Sequence, residues 1–461
     1  MTKTGSGKPA NEGNRSASGA REIVLDVLLE ILEKKHYSHL VLQRALAKYQ
    51  YLDKQERSFI KRTVDGTLER LMQVDCLIEL YSSVKLRKMK PVIRTILRMS
   101  VYQICFMDRI PDSAACNEAV KLAVRRGFSG LKGFVNGVLR NVSRHKDEIT
   151  WPDDSTAFCL PQWIFSMWER QYGKEAARTM AESFLKERPL TVRMNLSLAS
   201  REKIADSLES QGVKVRESGF AEDVVFLSQV DYLESLDAFL DGWIQVQDLS
   251  SSLAGDAAGV KEGDYVIDVC GAPGGKSLHI AELLHGTGMV EVRDLTEKKI
   301  ALVEDNIWRS GFSNIEARVQ DATEFDPDAQ EKADLLIADL PCSGLGIIGR
   351  KPDIRYNVTE EQTRELAKLQ REILSVVWRY VKPGGTMVFS TCTVDPAENE
   401  ENVRWILSQL PFEPVDLTDR IGDALAETLL EDTRKKGYVQ LLPGFYPGDG
   451  FFISVFRRKE E

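Results

Sequence analysis

The chain has 461 residues, of which 43% are hydrophobic and 28% charged, and its formal net charge is −9. This length exceeds one ordinary domain, and the composition is that of a globular protein. No run of about 18 apolar residues occurs, which excludes a transmembrane helix. The seven cysteines form no Cys-x-x-Cys pair, so we expect neither zinc nor a disulfide framework. We therefore expect a cytoplasmic protein with no membrane partner, no metal and free thiols.

Charge is distributed unevenly along the chain. Residues 1–150 carry 27 Lys and Arg against 16 Asp and Glu, a balance of +11, and the remainder carries 34 against 54, a balance of −20. A basic front on an acidic body favours a polyanionic partner such as nucleic acid. The alternative is that most of these charges are simply solvated.

The first 150 residues divide into a tail and a helical domain. Residues 1–20 are small and polar, which predicts a disordered tail. Residues 21–150 show apolar residues at helical spacing and few prolines, which predicts a helical bundle. The predicted helices cover 21–32, 55–71, 91–107, 117–126 and 133–144.

The remaining chain predicts two further parts. Residues 151–250 mix a helix at 162–186 with a strand at 190–194, which indicates a small α+β segment. Residues 251–461 alternate short apolar strands with helices, which predicts an α/β domain with a doubly wound parallel sheet. The predicted strands cover 264–270, 288–293, 314–319, 334–339 and 386–391. A last strand at 450–456 follows a turn and predicts an antiparallel edge hairpin.

A glycine-rich loop follows the strand at 264–270. Its sequence, Gly-Ala-Pro-Gly-Gly-Lys-Ser at 271–277, precedes a helix that we expect to begin near Lys276. A P-loop for nucleoside triphosphates requires a glycine at the position of Cys270, and a dinucleotide loop requires Gly-x-Gly-x-x-Gly. The remaining candidate is S-adenosylmethionine, which needs a close glycine turn and an acid for its ribose.

Three acids end three successive predicted strands. Asp294 stands 19 residues after Gly275 and is placed to accept both ribose hydroxyls, and Asp321 is placed to hold the adenine amino group. Asp339 ends the third strand. Each of these acids alone is as easily a helix N-cap, but their repetition at strand ends favours a ligand site.

Two cysteines lie just beyond the ends of two apolar strands. Cys342 lies in Asp-Leu-Pro-Cys-Ser-Gly at 339–344, and Cys392 lies in Ser-Thr-Cys-Thr at 390–393. Because the carboxyl ends of parallel strands meet at one edge of a sheet, we expect the two thiols to meet there. One would act as a nucleophile and the other as its helper, and the residues alone do not order them.

These motifs resemble the RsmB/Sun-type family of ribosomal RNA cytosine-C5 methyltransferases. The resemblance implies a Rossmann-like class I methyltransferase sheet with an S-adenosylmethionine site, preceded by a small α+β RNA-binding segment. It assigns the cofactor loop to Cys270, Gly271, Ala272, Pro273, Gly274, Gly275 and Lys276. The family usually has alanine where this chain has Gly271, a difference that we expect to be harmless.

The same resemblance orders the two cysteines. It implies that Cys392 attacks C6 of cytosine and that Cys342 assists product release. Attack at C6 makes C5 nucleophilic enough to accept a methyl group. Asp339 would hydrogen-bond the N3/N4 edge of the base, provided that burial raises its pKa.

The helical domain resembles the RNA-binding NusB family. The resemblance rests on residues 111–120 and 133–140. The pairing of this domain with a methyltransferase implies that the partner is 16S rRNA, and we expect a monomer. Transfer RNA or 23S rRNA remains an alternative substrate, and a non-catalytic RNA-binding assembly factor remains a second alternative.

A cationic run in the helical domain is the predicted phosphate contact. It consists of six cations without an acid: Lys85, Arg87, Lys88, Lys90, Arg94 and Arg98. Contacts of this kind give sequence-independent, salt-dependent affinity, and the alternative is a solvated helix face. Tyr356 is placed to stack on a base, although a single aromatic residue is more often part of the packing.

Overall fold

The computed structural model describes residues 13–460, and the described chain divides into two compact units. One unit holds the described residues up to Phe165 together with Lys351–Asn357. The other holds Ser166–Arg350 and Val358 onwards. No helix in the described part of the chain is long and apolar enough to cross a membrane.

The first unit is all-helical. Its helices up to residue 158 are α1 (Gly13–Lys34), α2 (Ser38–Lys48), α3 (Lys54–Glu69), α4 (Leu71–Tyr81), α5 (Pro91–Phe106), α6 (Asp112–Arg125), α7 (Lys132–His145) and α8 (Asp154–Phe158). The predicted bundle is confirmed, and α2 and α4 are additional to the predicted helices. α1 begins at Gly13. Residues 1–12 of the predicted disordered tail lie outside the described range, and the tail stays a prediction.

Local sequence explains where these helices begin. The Asp53 side chain caps α3 by accepting a hydrogen bond from the backbone N–H of Glu56, which satisfies one of the free donors at a helix start. Pro91 occupies the first turn of α5, where a missing N–H costs nothing. The inward faces of α1, α3, α5, α6 and α7 form one apolar core.

A late segment, Lys351–Asn357, also belongs to this unit and contains α16 (Ile354–Asn357). Asp353 accepts hydrogen bonds from the backbone N–H and the hydroxyl of Ser38. Arg355 is buried and donates to the carbonyls of Glu69 and Cys159. The hydroxyl of Tyr356 donates to the Leu68 carbonyl at 2.9 Å. Of the two roles considered for Tyr356, base stacking and packing, its bond to Leu68 favours packing within the helical unit.

The second unit begins with a small antiparallel sheet in the order β2-β3-β1-β4. Its strands are β1 (Leu190–Met194), β2 (Lys214–Glu217), β3 (Val224–Ser228) and β4 (Ile244–Val246). The helices of this region are α9 (Gln162–Tyr172), α10 (Lys174–Ser183), α11 (Arg201–Ser210) and α12 (Asp237–Leu240). The helix predicted at 162–186 is two helices, because Gly173 adopts a φ of 83° and interrupts it. The predicted α+β character is confirmed.

The larger sheet has the order β10-β12-β9-β8-β5-β6-β7, and β11 also pairs with β12. Its strands are β5 (Tyr265–Asp268), β6 (Met289–Asp294), β7 (Ile315–Val319), β8 (Ala333–Asp339), β9 (Val381–Thr391), β10 (Phe412–Pro414), β11 (Tyr438–Leu441) and β12 (Phe451–Arg458). The helices around it are α13 (Leu249–Ala258), α14 (Gly275–Leu283), α15 (Glu297–Ser310), α17 (Glu360–Val377), α18 (Glu400–Gln409) and α19 (Asp423–Ala426).

The five strands β5 to β9 are parallel, which confirms the predicted α/β fold. Alternate residues of β8 enter two different apolar clusters, Leu335 and Ile337 in one and Leu336 and Ala338 in the other. Both faces of the sheet are therefore covered, as parallel sheets require. The last strand, β12, is antiparallel as predicted but is not an edge strand, because β9 pairs with one side of it and β10 and β11 with the other.

Sheet register brings the predicted site residues to one edge. Asp339 at the end of β8 lies opposite Ser390 at the end of β9. Asp268 at the end of β5 pairs with Val292 of β6, two residues before Asp294. The carboxyl ends of four neighbouring parallel strands therefore surround the start of α14.

Candidate functional site

The glycine loop joins β5 to α14 in a tight turn. Gly274 has a φ of 103°, which only glycine adopts readily. The helix begins at Gly275, one residue before the predicted start. The free N–H groups of a helix start face the end of the loop. Burial raises the pKa of Cys270 at the head of the loop, so this thiol is unreactive near neutral pH.

Gly271 is packed too closely to carry a side chain. A Cβ placed there would lie 2.5 Å from Cγ1 of Val292 and 2.8 Å from the carboxyl group of Asp268. Both neighbours are buried. The backbone of the loop therefore lies directly against β6, with no room for an alanine side chain at position 271.

Asp268, the last residue of β5, is a site residue that the sequence analysis missed. Its Oδ2 accepts a hydrogen bond from the Ser277 hydroxyl at 2.5 Å. Its Oδ1 is buried and finds no hydrogen-bond partner among residues 13–460. Burial raises the pKa of Asp268 to about 7. An unpaired buried carboxylate oxygen beside a glycine turn fits a ligand that donates hydrogen bonds. The signal in the sequence was its position as a strand-ending acid just before the loop.

Asp294 lies at the end of β6, as predicted. Its Oδ2 accepts a hydrogen bond from the Ala272 N–H at 3.1 Å, which ties it to the glycine loop. Its Oδ1 accepts from the Leu295 N–H and from Nζ of Lys299 at 2.8 Å. The Lys299 side chain is 55% exposed, so it can withdraw when a hydroxyl group takes its place.

Asp321 lies two residues beyond the end of β7. Its Oδ1 accepts hydrogen bonds from the backbone N–H of Thr323 at 2.9 Å and from the Thr323 hydroxyl at 2.7 Å. One oxygen of this acid therefore shapes a local turn. Its assignment to an adenine amino group stays a prediction.

Asp339 forms an ion pair with a residue of the glycine loop. Nζ of Lys276 lies 2.7 Å from Oδ2 of Asp339, and the Ser390 hydroxyl donates to Oδ1 at 2.8 Å. The Asp339 side chain is 29% exposed. In this pair Asp339 accepts and Lys276 donates the hydrogen bond. The predicted contact of Asp339 with the N3/N4 edge of a base stays a prediction.

The two cysteines meet as predicted. Sγ of Cys342 lies 3.3 Å from Sγ of Cys392, and both residues are partly accessible. The hydrogen bond with Cys392 and burial raise the pKa of Cys342, and the charges of Glu398 and Asp339 add to this. Two thiols at this distance share one proton readily, so ionisation of one favours retention of the proton by the other.

Side-chain bonds hold the two cysteine loops together. The hydroxyls of Ser343 and Thr393, the residues that follow the two cysteines, lie 2.7 Å apart. The Thr391 hydroxyl donates to the Asn399 side chain at 2.6 Å, and Asn399 donates to the Thr393 carbonyl at 3.1 Å. These residues are buried. The loops are therefore fixed from both sides of the thiols.

The predicted cationic run of the helical unit is only partly available to a partner. Arg98 forms a bidentate ion pair with Asp75 at 2.7 Å. Arg94 bonds to Glu33 at 2.6 Å. The other four members of the run, Lys85, Arg87, Lys88 and Lys90, are exposed. Within residues 13–460, no group of three or more His, Cys, Asp or Glu is arranged to hold a metal ion.

Three family models match successive parts of the chain. The family described as 16S rRNA methyltransferase RsmB/F matches residues 258–457. The NusB family matches residues 18–144. A ferredoxin-like domain described as RsmF/B-like matches residues 160–231.

Curated relatives cover nearly the whole chain. The probable ribosomal RNA small subunit methyltransferase B of Bacillus subtilis is 36% identical over 96% of this chain and 99% of its own length. The ribosomal RNA small subunit methyltransferase B of an Enterobacter species is 30% identical over 88% of this chain and 91% of its own length. Among solved structures, that of PH0851 covers 96% of this chain and 98% of its own, with a TM-score of 0.80 and 24% identity. This last likeness concerns the fold.

Proposed function

Because the chain belongs to the ribosomal RNA small subunit methyltransferase B family, we propose that it transfers a methyl group from S-adenosylmethionine to C5 of a cytosine in 16S rRNA. The observation that carries the choice of C5 is the pair of cysteines 3.3 Å apart at the carboxyl edge of the sheet. Methyl transfer to a nitrogen or to a ribose hydroxyl does not need a thiol nucleophile. Transfer to C5 does, because the ring carbon becomes nucleophilic only after attack at C6.

The residues at the glycine loop fit S-adenosylmethionine. The tight backbone at Gly271 allows close approach, and the unpaired Oδ1 of Asp268 suits an ammonium group. Asp294, which is bonded to the Ala272 N–H, would accept hydrogen bonds from the ribose hydroxyls. Asp321 would accept one from the adenine amino group. S-adenosylmethionine bound there supplies an electrophilic methyl group.

Cys392 is the proposed nucleophile. Its thiolate forms a bond to C6, and the electron pair of the C5–C6 double bond becomes available at C5 for the methyl group. Negative charge develops at the N3/O2 side of the ring during attack. The ammonium of Lys276 lies 2.7 Å from Asp339. It is the hydrogen-bond donor that would stabilise this negative charge.

Cys342 is the proposed release residue. After methylation, C5 loses its proton to a base, the C5–C6 double bond reforms and the bond between Cys392 and C6 breaks. The leaving sulfur must be stabilised as it takes on negative charge. The Cys342 thiol, 3.3 Å away, is placed to donate a hydrogen bond to it.

Methyl mapping tests this function. The purified protein, S-adenosylmethionine and protein-free 16S rRNA, 23S rRNA or transfer RNA are incubated, and 5-methylcytosine is located by bisulfite sequencing. We expect one modified cytosine in 16S rRNA and none in the other two RNAs. A modified cytosine only in transfer RNA or 23S rRNA would overturn the substrate, and methyl groups on another atom would overturn the chemistry.

A further inference from the structure

Glu398 contacts the loop that carries Cys342 but has no role in the reaction described so far. Its Oε2 accepts hydrogen bonds from the backbone N–H of Ser343 and from Nε2 of Gln370, both at 2.9 Å. Ser343 is the residue after Cys342. The carboxyl group is fully buried, with 0% of the residue exposed. Glu398 is therefore an interior acid bonded to the residue next to the Cys342 thiol.

Other buried groups fix this acid in place. Nε2 of Gln370 also donates to the Pro341 carbonyl at 2.9 Å, so Gln370 and Glu398 hold the residues on both sides of Cys342. Nδ2 of Asn402 donates to Oε1 of Gln370 at 2.7 Å and to the Glu398 carbonyl at 3.0 Å. The carboxyl group therefore has one orientation, set by neighbours on α17 and α18.

The hydrogen bonds alone do not explain why an acid stands here. Only one oxygen of Glu398 is used, and its Oε1 is buried with no hydrogen-bond partner in the described chain. A glutamine would accept the same two hydrogen bonds with its amide oxygen. Burying an acid instead is costly, and burial indeed raises the pKa of Glu398 to about 7. What glutamine cannot provide is a negative charge.

We propose that Glu398 is a positioning residue whose negative charge beside the Cys342 loop keeps Cys342 protonated, so that Cys392 is the thiol that ionises and attacks. The proposal deepens the proposed function and rests on it for the identity of the reaction. Cys342 then remains able to donate a hydrogen bond to the departing sulfur.

The other charged groups near Cys342 and Cys392 are consistent with a protonated Cys342 and an ionised Cys392. Cys392 and Asp339 also face Cys342, and both raise the pKa of Cys342, as Glu398 does. Asp339 is paired with Lys276. Asp395 faces Glu398 and raises its pKa. Lys276 is already neutralised by Asp339 at 2.7 Å. Among these groups, Glu398 is the acid bonded to the Cys342 loop itself, and it is not engaged by a cation.

Alkylation of Cys342 in the full-length chain tests the proposal without RNA or cofactor. Because the thiolate is the reactive form, the rate of iodoacetamide labelling of the Cys342 peptide, followed by mass spectrometry from pH 6 to 11, reports its ionisation. The parent protein carries Cys392→Ser, so that the partner thiol does not contribute. Adding Glu398→Gln removes the charge and keeps the hydrogen bonds. We expect the midpoint pH to fall by about one unit, the size of a like-charge effect at short range.

Glu401→Gln is the matched control, because Glu401 is an exposed acid three residues further along the chain, in the first turn of α18. We expect it to leave the midpoint unchanged. An unchanged midpoint in a Glu398→Gln protein that melts cooperatively would overturn the proposal.

If Glu398→Gln does not fold, the pH profile of Cys342 labelling in the Cys392→Ser parent tests the proposal instead. The logarithm of its rate must flatten near pH 7, where Glu398 becomes charged, and a constant slope would contradict the proposal. Neither result depends on methyl transfer, so failure here is distinguishable from failure of the mapping experiment.

Discussion

At the scale of single residues, the two cysteines are close together but not equivalent. The hydrogen bond with Cys392 and burial raise the pKa of Cys342, and the nearby charges of Glu398 and Asp339 add to this. Cys392 follows the end of β9 by one residue. The surroundings therefore favour Cys342 as a protonated helper and Cys392 as the attacking thiolate. In the sequence analysis only the family resemblance assigned this order, and it stays a proposal.

The role of Lys276 shows what spacing along the chain does not reveal. The sequence analysis placed Lys276 in the cofactor loop and gave it no part in the chemistry. The ion pair joins residues 63 positions apart: Lys276 lies in the first turn of α14, which follows β5, and Asp339 ends β8. These strands are neighbours in the sheet, but the sequence predicts the strands and not their order. Glu398 was missed for the same reason, since its contact with Ser343 joins residues 55 positions apart. Asp268 contacts Ser277 only nine residues further on, and its position at a strand end was a signal that the sequence analysis did not use.

At the scale of elements, the glycine loop and β6 form one packed unit. The N–H of Ala272 bonds to Asp294, and the N–H of Gly271 bonds to the Arg293 carbonyl at 3.0 Å. The loop is therefore held against the strand end that carries the predicted ribose acid. A change in the loop backbone must therefore also shift Asp294.

Gly271→Ala tests this packing. The added methyl group would meet the buried Val292 and Asp268 side chains at 2.5 and 2.8 Å, and overpacking of this kind costs about 1–3 kcal/mol. We expect the dissociation constant for S-adenosylmethionine, measured by calorimetry, to rise roughly tenfold or more. Gly133→Ala is the control, because a Cβ there meets nothing within 4 Å, and it should leave the affinity unchanged. Wild-type affinity in Gly271→Ala would refute the packing argument.

Strong hydrophobic patterns predicted the elements that line the site. The five parallel strands were found within a few residues at most ends. β5 and β8 are largely buried and read as nearly continuous apolar runs, whereas the edge strand β7 is mostly exposed. Strands β10 and β11 were missed, since they are short and partly exposed. The break at Gly173 was also missed, because a glycine within a helical pattern is tolerated in many helices.

At the scale of the whole molecule, the charge asymmetry predicted a basic helical unit, and the structure narrows which of its cations are available. Arg94 and Arg98 are engaged by Glu33 and Asp75. The exposed members of the run, Lys85, Arg87, Lys88 and Lys90, remain as predicted phosphate contacts.

The membership of Lys351–Asn357 in the helical unit had no signal in the sequence, because it depends on contacts with residues about 200 to 315 positions away. The division into domains at residues 150 and 250 stays a prediction.

Neutralising the four exposed cations tests their part in RNA binding. With all four changed to glutamine, we expect weaker binding to 16S rRNA. The slope of log affinity against log salt should become shallower by about three, because each lost phosphate contact removes roughly 0.7 to 0.9. A control protein has Lys174, Lys214, Lys298 and Lys332, which are equally exposed, changed to glutamine. Equal loss in both proteins would show that net charge matters and that the run is not a specific contact.

The most direct test of the proposed mechanism is covalent trapping. Each variant is incubated with S-adenosylmethionine and protein-free 16S rRNA, and adducts that survive denaturant are resolved on a gel. Cys342→Ala removes the release residue and should accumulate a protein–RNA adduct. Adding Cys392→Ala should abolish that adduct. Cys392→Ala alone should give neither adduct nor methyl transfer while still binding S-adenosylmethionine. Undiminished methyl transfer by Cys392→Ala, or an adduct that persists in the double variant, would contradict attack by Cys392.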